Sequence, residues 1–221
     1  MSILGISCAT KLISLGIINE QGVRLETSIA EIQAERVMFY VNESGIKPEE
    51  IDGIAITIGP GSYSGLRAGL ATAKTLAQTL NLPLMGISTL EAIAYNLVDM
   101  EGTIAVLLDA RMDEYNFALF GASAGKMKRL TEDMVLKWEV LLKRLAEISG
   151  KIWVVGKTLP LKEMQSWPKN IRFAEETHSH PYGVNVARLG MLKKEAGQTD
   201  DPLTLTPHYS HTVSVKEFRK G

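Results

Sequence analysis

The 221-residue chain contains one cysteine, Cys8, and no apolar run that approaches the roughly 20 residues of a membrane-spanning helix. A single thiol cannot build a disulfide framework, which favours a reducing compartment. The N-terminal stretch MSILGISC lacks the basic region of a signal peptide and is typical of a strand. We therefore expect a cytoplasmic protein that is not embedded in a membrane, with Cys8 as a buried structural thiol.

Net charge is also nearly absent. The chain carries 24 Lys and Arg against 25 Asp and Glu, a formal net charge of −1. A balance of this kind gives no general attraction to nucleic acid or to a membrane surface, so we do not expect the chain alone to hold RNA tightly. With 45% hydrophobic and 22% charged residues, the composition is that of an ordinary globular protein.

Several catalytic signatures are missing. The chain has no HExxH motif, and its GPGSYSG segment neither ends in the Gly-Lys-Ser/Thr of a P-loop nor matches GxGxxG. The four histidines all lie in the last quarter, in the loosely spaced runs HSH and HYSH: His178, His180, His208 and His211. We do not expect these histidines to bind a metal ion.

The pattern of strands and helices nearly repeats itself. The first half predicts strands at 3–8, 12–19, 22–28, 53–58 and 84–87, with helices at 30–44, 63–80 and from Thr89. The second half predicts strands at 103–109, 115–121, 126–130 and 152–156, with helices at 137–148 and 183–196. The order β-β-β-α-β-α in each half indicates an α/β protein with two tandem lobes, 1–100 and 101–221, each built on a mixed sheet.

This layout is that of the actin, Hsp70 and sugar-kinase superfamily. The last helix is a candidate to pack back on the first lobe. A single three-layer, doubly wound α/β domain is the alternative.

Residues 59–80 carry the most informative segment, GPGSYSGLRAGLATAKTLAQTL. Gly59, Pro60 and Gly61 predict a sharp turn, and Ser62 or Ser64 can cap the helix that follows. Small residues at Gly65, Ala68, Gly69 and Thr72 predict close approach of another helix. The alternative is an anion site at the turn, formed by Gly59, Gly61, Ser62, Ser64 and Gly65.

The two helices of the first half are expected to lie side by side. Their core face is predicted to contain Leu66, Leu70, Ala73, Ala77 and Leu80. Their outward face is predicted to be a partner interface that includes Arg36, Tyr40, Ala68, Thr72, Thr75, Leu76 and Thr79.

Four segments resemble the TsaB (YeaZ) family over residues 1–120: ILGISCATKLISLGI, GIAITIGPGSYSGLRAGLATAKTLA, LPLMGISTLEAIA and VLLDARMDEYNFALF. The resemblance implies two actin-like lobes and a non-catalytic role in making N6-threonylcarbamoyladenosine at position 37 of tRNAs that read codons beginning with A. It implies two partners: TsaD, a catalytic paralogue of the same fold, and the small ATPase TsaE. It further implies that the chain contacts tRNA only indirectly, as part of the complex, and that it forms a homodimer when alone. We expect no cofactor of its own, and leave open a nucleotide at the partner interface.

Five positions depart from the family pattern. Ser7 stands where most relatives have an aspartate, and Cys8 and Ala9 replace a Thr-Ser pair. Gln33 stands where a histidine is usual, and His211 replaces an arginine. Catalysis in actin-like proteins needs a carboxylate at the end of the first strand, which Ser7 cannot supply. Asp109, at the matching place in the second half, is expected to be a turn carboxylate that caps backbone N–H groups of 110–113. The alternative is a weak ATPase or nucleotide-sensing homodimer that uses Asp109 and the glycine turn.

Overall fold

A computed structural model describes residues 1–30, 36–43, 45, 47–156 and 167–210. The first of two mixed sheets has the order β3-β2-β1-β4-β5. Its strands are β1 (Ile3–Ser7), β2 (Leu12–Asn19), β3 (Gly22–Ala30), β4 (Gly53–Gly59) and β5 (Leu84–Ser88). The pairs β1–β2 and β2–β3 are antiparallel, whereas β1–β4 and β4–β5 are parallel.

The second sheet repeats these pairings and has the order β11-β10-β6-β7-β8. Its strands are β6 (Gly102–Arg111), β7 (Glu114–Ser123), β8 (Lys126–Arg129), β9 (Met134–Lys137), β10 (Ile152–Gly156) and β11 (Ile171–Phe173). Strand β6 runs antiparallel to β7 and parallel to β10, as β1 does to β2 and β4. Strand β9 also pairs with β7. The α/β class and the two mixed sheets are confirmed, and the alternative of one doubly wound sheet is wrong.

Five α-helices lie in the described residues: α1 (Val37–Glu43), α2 (Tyr63–Leu80), α3 (Thr89–Ala94), α4 (Trp138–Ala146) and α5 (Gly183–Glu195). Ser62 caps α2, because its Oγ accepts a hydrogen bond from the Gly65 N–H at 3.4 Å. Asn81 ends the same helix in the left-handed conformation, with φ 52°. No helix in this part of the chain is both long enough and apolar enough to cross a membrane.

Helix α5 packs on the first sheet, although it comes last in the chain. Its first N–H groups bind β2 and β3: Gly183 N donates to Ser14 Oγ at 2.9 Å, and Val184 N donates to a Glu26 carboxylate oxygen at 2.8 Å. Its buried side chains, including Val186, share a core with Ile3 of β1. Helix α3 contributes to the core of the second sheet, so α3 and α5 connect the two halves.

Three predictions from the sequence need correction. The helix predicted over 30–44 begins too early, because Ala30 ends β3 and α1 begins at Val37. Residues 31–35, which include Gln33, lie outside the described residues. In the second half, β9 and β11 were not predicted.

Candidate functional site

Helices α1 and α2 contact each other on one side of the first sheet. Val37 and Val41 of α1 join the core that contains Leu70, Ala73 and Ala77 of α2. Leu66 is also buried, whereas Leu80 is half-buried. The apolar stripe of each helix therefore faces the sheet, and the opposite side of both helices faces solvent.

The residues predicted for the partner interface are exposed to different extents. Arg36, Thr75 and Thr79 are exposed, and Ala68 and Thr72 are half-buried. Tyr40 and Leu76 pack against the core of the first sheet, so less of each is available to a partner. The part that these residues play in an interface stays a prediction.

Two exposed apolar residues of α1 were not predicted from the sequence. Met38 is 43% exposed and Phe39 is 48% exposed, both on the solvent side of the helix. The Arg36 guanidinium lies 5.0 Å from the centroid of the Phe39 ring, a cation–π distance. We call the exposed residues Arg36, Met38, Phe39, Thr75 and Thr79, with the half-buried Ala68 and Thr72, the α1–α2 face.

The glycines of the GPGSYSG turn serve packing within the chain. A methyl group on Gly65 would overlap the carbonyl oxygen of Cys8, and one on Gly61 would overlap that of Ala9. A methyl group on Gly69 would lie 2.9 Å from the Cys8 sulfur. Gly65 and Gly69 therefore let α2 approach the end of β1, and the prediction that they open α2 to another helix is wrong.

The polar groups at this turn are already engaged. The Ser62 N–H donates to the Ala9 carbonyl at 2.8 Å, and the Gly65 N–H donates to Ser62 Oγ. On the other side of the turn, a methyl group on Gly59 would overlap the carbonyl oxygen of His208. These contacts favour a structural turn over a phosphate cradle. The Ser62 and Ser64 hydroxyls remain exposed, and the anion site stays an untested alternative.

The segment after α5 closes over the same turn. The His208 N–H donates to the Ile58 carbonyl at 2.6 Å. The Tyr209 ring lies 4.9 Å from the ring of Tyr63, at the start of α2. The next residue, Ser210, donates to the buried Asn116 side chain of β7 at 2.6 Å. This short segment therefore ties the first sheet to the second.

Ser7 lies at the end of β1 and Asp109 near the end of β6, and the prediction of a non-catalytic chain depends on these two residues. Ser7 is fully buried, and its Oγ accepts a hydrogen bond from Thr57 Oγ1 at 3.3 Å. Asp109 is exposed, and its Oδ1 accepts the Arg111 N–H at 2.8 Å. This contact is of the kind expected for a turn carboxylate, although its bearing on activity stays a prediction. Burial also raises the pKa of the neighbouring Cys8 thiol to about 12, so the sulfur is a poor nucleophile at neutral pH.

Metal-ligand geometry is absent from the described residues, which hold no group of three or more His, Cys, Asp and Glu side chains placed around a common point. The carbonyl groups of His178 and His180 accept hydrogen bonds from the Asn96 amide, which fixes the loop that carries them. His211 lies outside the described residues.

Comparison with known proteins assigns the chain to a family. Residues 30–173 match the family model described as TsaD, tRNA N6-adenosine threonylcarbamoyltransferase. The tRNA threonylcarbamoyladenosine biosynthesis protein TsaB of Escherichia coli is 31% identical over 176 residues, which cover 76% of this chain and 74% of the relative. The chain belongs to the TsaB family. TsaB of Bacillus subtilis is 30% identical over 152 residues, and the match spans 65% of this chain and 66% of that relative.

A solved structure shares the fold of the TsaB-family chain over nearly its whole length. YeaZ from Pseudomonas aeruginosa superposes with a TM-score of 0.78 and 21% identity, covering 94% of this chain and 99% of that one. The likeness in sequence to TsaB and the likeness in fold to YeaZ agree with the resemblance seen in the first 120 residues.

Proposed function

We propose that this chain is a non-catalytic accessory subunit that docks onto a TsaD paralogue and supports threonylcarbamoylation of adenosine 37 in tRNA. The observation that carries the proposal is the end of β1, where Ser7 is buried and bonded to Thr57. A neutral hydroxyl there cannot replace the carboxylate that organises metal and water near a phosphate. Asp109 alone is a weak substitute, because one of its oxygens already binds the backbone of its own turn.

The α1–α2 face supplies the docking surface. Met38 and Phe39 are large apolar side chains that α1 presents to water, where their exposure is unfavourable. The threonines of α2 are small enough to let the backbone of a partner helix approach. An apolar centre with a polar surround is the usual composition of a specific protein interface.

A TsaD paralogue is the occupant that the similarities favour. The family model that matches residues 30–173 is itself named for TsaD, so the chain and the catalytic protein share a fold. Paralogues can inherit one dimer surface, which allows a pseudo-symmetric heterodimer and a homodimer to compete for it. On this proposal the chain alone is a homodimer, TsaE joins the heterodimer, and tRNA and any nucleotide are bound by the assembled complex.

The test is a pull-down between the purified chain and its TsaD partner, followed by measurement of threonylcarbamoyladenosine in cells. Phe39→Glu and Thr72→Arg place a charge in the α1–α2 face, and each should weaken the heterodimer by ~10-fold or more. Val140→Glu is the matched control, since Val140 is 47% exposed on α4 in the second half. It should leave both readouts unchanged.

Two results would overturn the proposal. Wild-type affinity of both interface variants would show that the partner binds elsewhere. Calorimetric titration of the pure chain with Mg-ATP tests the enzyme alternative, because micromolar binding with turnover would mean that this chain has an active site of its own.

A further inference from the structure

The nearly zero net charge of the chain is divided unevenly along its length. Residues 1–100 carry six Lys and Arg against ten Asp and Glu, whereas residues 101–221 carry 18 against 15. The potential at a surface depends on its nearby charges rather than on the total for the chain. A basic surface in the second half is therefore compatible with a net charge of −1.

Three of these basic residues meet where β10 and β11 begin. Lys151 directly precedes β10, Lys169 lies two residues before β11, and Arg172 is within β11. The two strands are parallel, with Ile152 opposite Ile171 and Trp153 opposite Arg172. Since neighbouring strands lie ~4.8 Å apart, this register brings the three cations to one corner of the second sheet.

The end of α4 brings two more cations to the same edge from the other face of the sheet, where Leu141 and Leu145 pack against Ile152. Lys143 and Arg144 lie in the last turn of α4, and Lys143 lines a surface cavity together with Trp167 and Pro168. The Asn170 amide fixes this arrangement by donating to the Ile148 carbonyl at 3.1 Å and to the Gly150 carbonyl at 2.6 Å. We call Lys143, Arg144, Lys151, Lys169 and Arg172 the basic edge.

The charges of the basic edge are not neutralised within the described residues. All five side chains are exposed, and none of them forms an ion pair with another described residue. Arg172 donates to the Lys169 and Ile171 carbonyls at 3.1 and 2.8 Å, which orients its guanidinium but leaves the positive charge in place. Glu139 and Glu147 lie four residues to either side of Lys143 without an ion pair to it, and Glu101 accepts the Ala124 N–H, 3.1 Å away.

Three other basic residues of the described chain have partners within it. Lys193 and Lys194 of α5 donate to the Gly86 and Asp52 carbonyls at 2.7 and 2.6 Å. Arg129 is paired with Asp133 at 2.6 Å and with Glu91 at 3.2 Å. The basic edge differs from these sites because it groups five exposed cations that have no carboxylate partner among the described residues.

We propose that the basic edge binds the phosphate backbone of an RNA. The five exposed cations offer several phosphate contacts, and the half-buried Trp153 lies beneath Lys151, whose Nζ is 5.6 Å from the ring centroid. Cations next to an aromatic ring are the combination that binds nucleic acid through phosphates and stacking. The inference rests on the proposed function, which brings a tRNA to this chain, and it makes the accessory subunit a direct contributor to tRNA binding.

The experiment measures the affinity of the TsaD heterodimer for an unmodified tRNA transcript by fluorescence anisotropy at several salt concentrations. The variant is Lys143→Glu with Lys169→Glu. We expect its dissociation constant at ~150 mM salt to rise ~10-fold or more, with a salt slope smaller by about 1 for each cation removed. Lys126→Glu with Lys128→Glu is the matched control, because it reverses two exposed charges on β8, at the opposite edge of the same sheet.

The outcomes separate this inference from the proposed function. One outcome is that the Lys143 and Lys169 variant forms the heterodimer and yet binds tRNA as tightly as wild type, or loses no more affinity than the control. That result would overturn the inference that the basic edge binds RNA and would leave the docking proposal intact. If the wild-type chain forms no heterodimer, the same titration of the chain alone at ~50 mM salt still tests the surface. Binding of wild type to phosphatidylserine vesicles but not to tRNA, lost in the variant, would assign the basic edge to a membrane instead.

Discussion

The turns that follow β1 and β6 occupy corresponding places in the two sheets, yet the chain uses them differently. After β1, Cys8 and Ala9 are buried beneath the glycines of α2. After β6, the hairpin from Arg111 to Glu114 extends into solvent, and Met112 at its tip is 79% exposed. Arg111, Met112 and Asp113 all have positive φ, at 71°, 52° and 57°.

The difference shows how one topology can carry a closely packed turn in one half and an accessible turn in the other. In the first half, α2 packs closely on the end of β1 through Gly65 and Gly69. In the second half, the corresponding turn remains exposed, and Asp109 at the end of β6 accepts a hydrogen bond from the backbone of its own turn.

The largest effect should come from adding one methyl group to each half. Gly65→Ala would push a Cβ into the Cys8 carbonyl, so we expect a loss of about 2–3 kcal/mol in the free energy of unfolding. Gly121→Ala, in β7, is the matched change in the second half, because its Cβ would meet Leu130 at an ordinary 3.7 Å. It should change stability by less than about 0.5 kcal/mol. Urea unfolding of both variants measures the difference, and equal losses would contradict the close approach of α2 to the end of β1.

The burial of Cys8 predicts a pH effect of intermediate size. The folded-state pKa of its thiol is raised from 9.0 to about 12, whereas the unfolded chain ionises near the lower value. The neutral thiol therefore stabilises the fold below pH ~9, and this contribution is lost as the pH rises through the interval between the two pKa values. Between pH 8 and 10 the loss should be about 1.4 kcal/mol.

The check on this prediction is a Cys8→Ala variant. The dependence of unfolding free energy on pH above ~9 should be weaker in the variant than in wild type, since the other titrating groups are the same in both. Identical pH profiles, or rapid alkylation of Cys8 in the native protein at pH 8, would show that the thiol is accessible and that the β1 turn is more open than described.

A smaller effect, a gain in stability, is expected from a substitution in the exposed hairpin. Met112 and Asp113 form the two-residue turn between Arg111 and Glu114, and both adopt the left-handed conformation that type I′ turns require. Asp113→Gly removes the Cβ penalty at φ 57° and should raise the melting temperature by an amount equivalent to about 0.5–1 kcal/mol. Asp113→Val, which is β-branched, should lower it. A fall in stability with glycine would mean that the Asp113 side chain makes a stabilising interaction.

The smallest effect is expected from Asp109→Asn. An asparagine oxygen can still accept the Arg111 N–H, so the turn and the level of threonylcarbamoyladenosine in cells should be nearly unchanged. A ~100-fold loss in a variant that remains folded and bound to its partner would mean that the carboxylate is catalytic, since removing an essential group costs several kcal/mol of activation free energy.

Much of the fold could be predicted because the strand and helix patterns are strong. An apolar run bounded by turn residues locates β2 from Leu12 to Asn19, and the serine cap with its apolar stripe locates α2 from Tyr63 to Leu80. The start of α1 was misplaced, since the apolar spacing from Ala30 onward fits a helix while Ala30 pairs with Leu12 in the sheet. Pairing across strands is a long-range property that a local pattern does not report.

The candidate site was less predictable for a related reason. A row of small residues shows that something approaches closely, but not whether it is a partner or the chain itself, and for Gly65 it is Cys8. Met38 and Phe39 could have been found from the sequence, because they lie on the opposite side of α1 from the buried Val37 and Val41. Two large apolar residues on that side of a helix are the signal of an uncovered surface.

The most direct test of the central claim is native mass spectrometry of the chain mixed with its TsaD partner. If the α1–α2 face is shared between homodimer and heterodimer, the mixture should convert the homodimer into a 1:1 complex, since one surface cannot serve both contacts. The Phe39→Glu variant should be monomeric alone and should fail to form the 1:1 species. A stable complex that retains two copies of this chain joined through the α1–α2 face would contradict the claim.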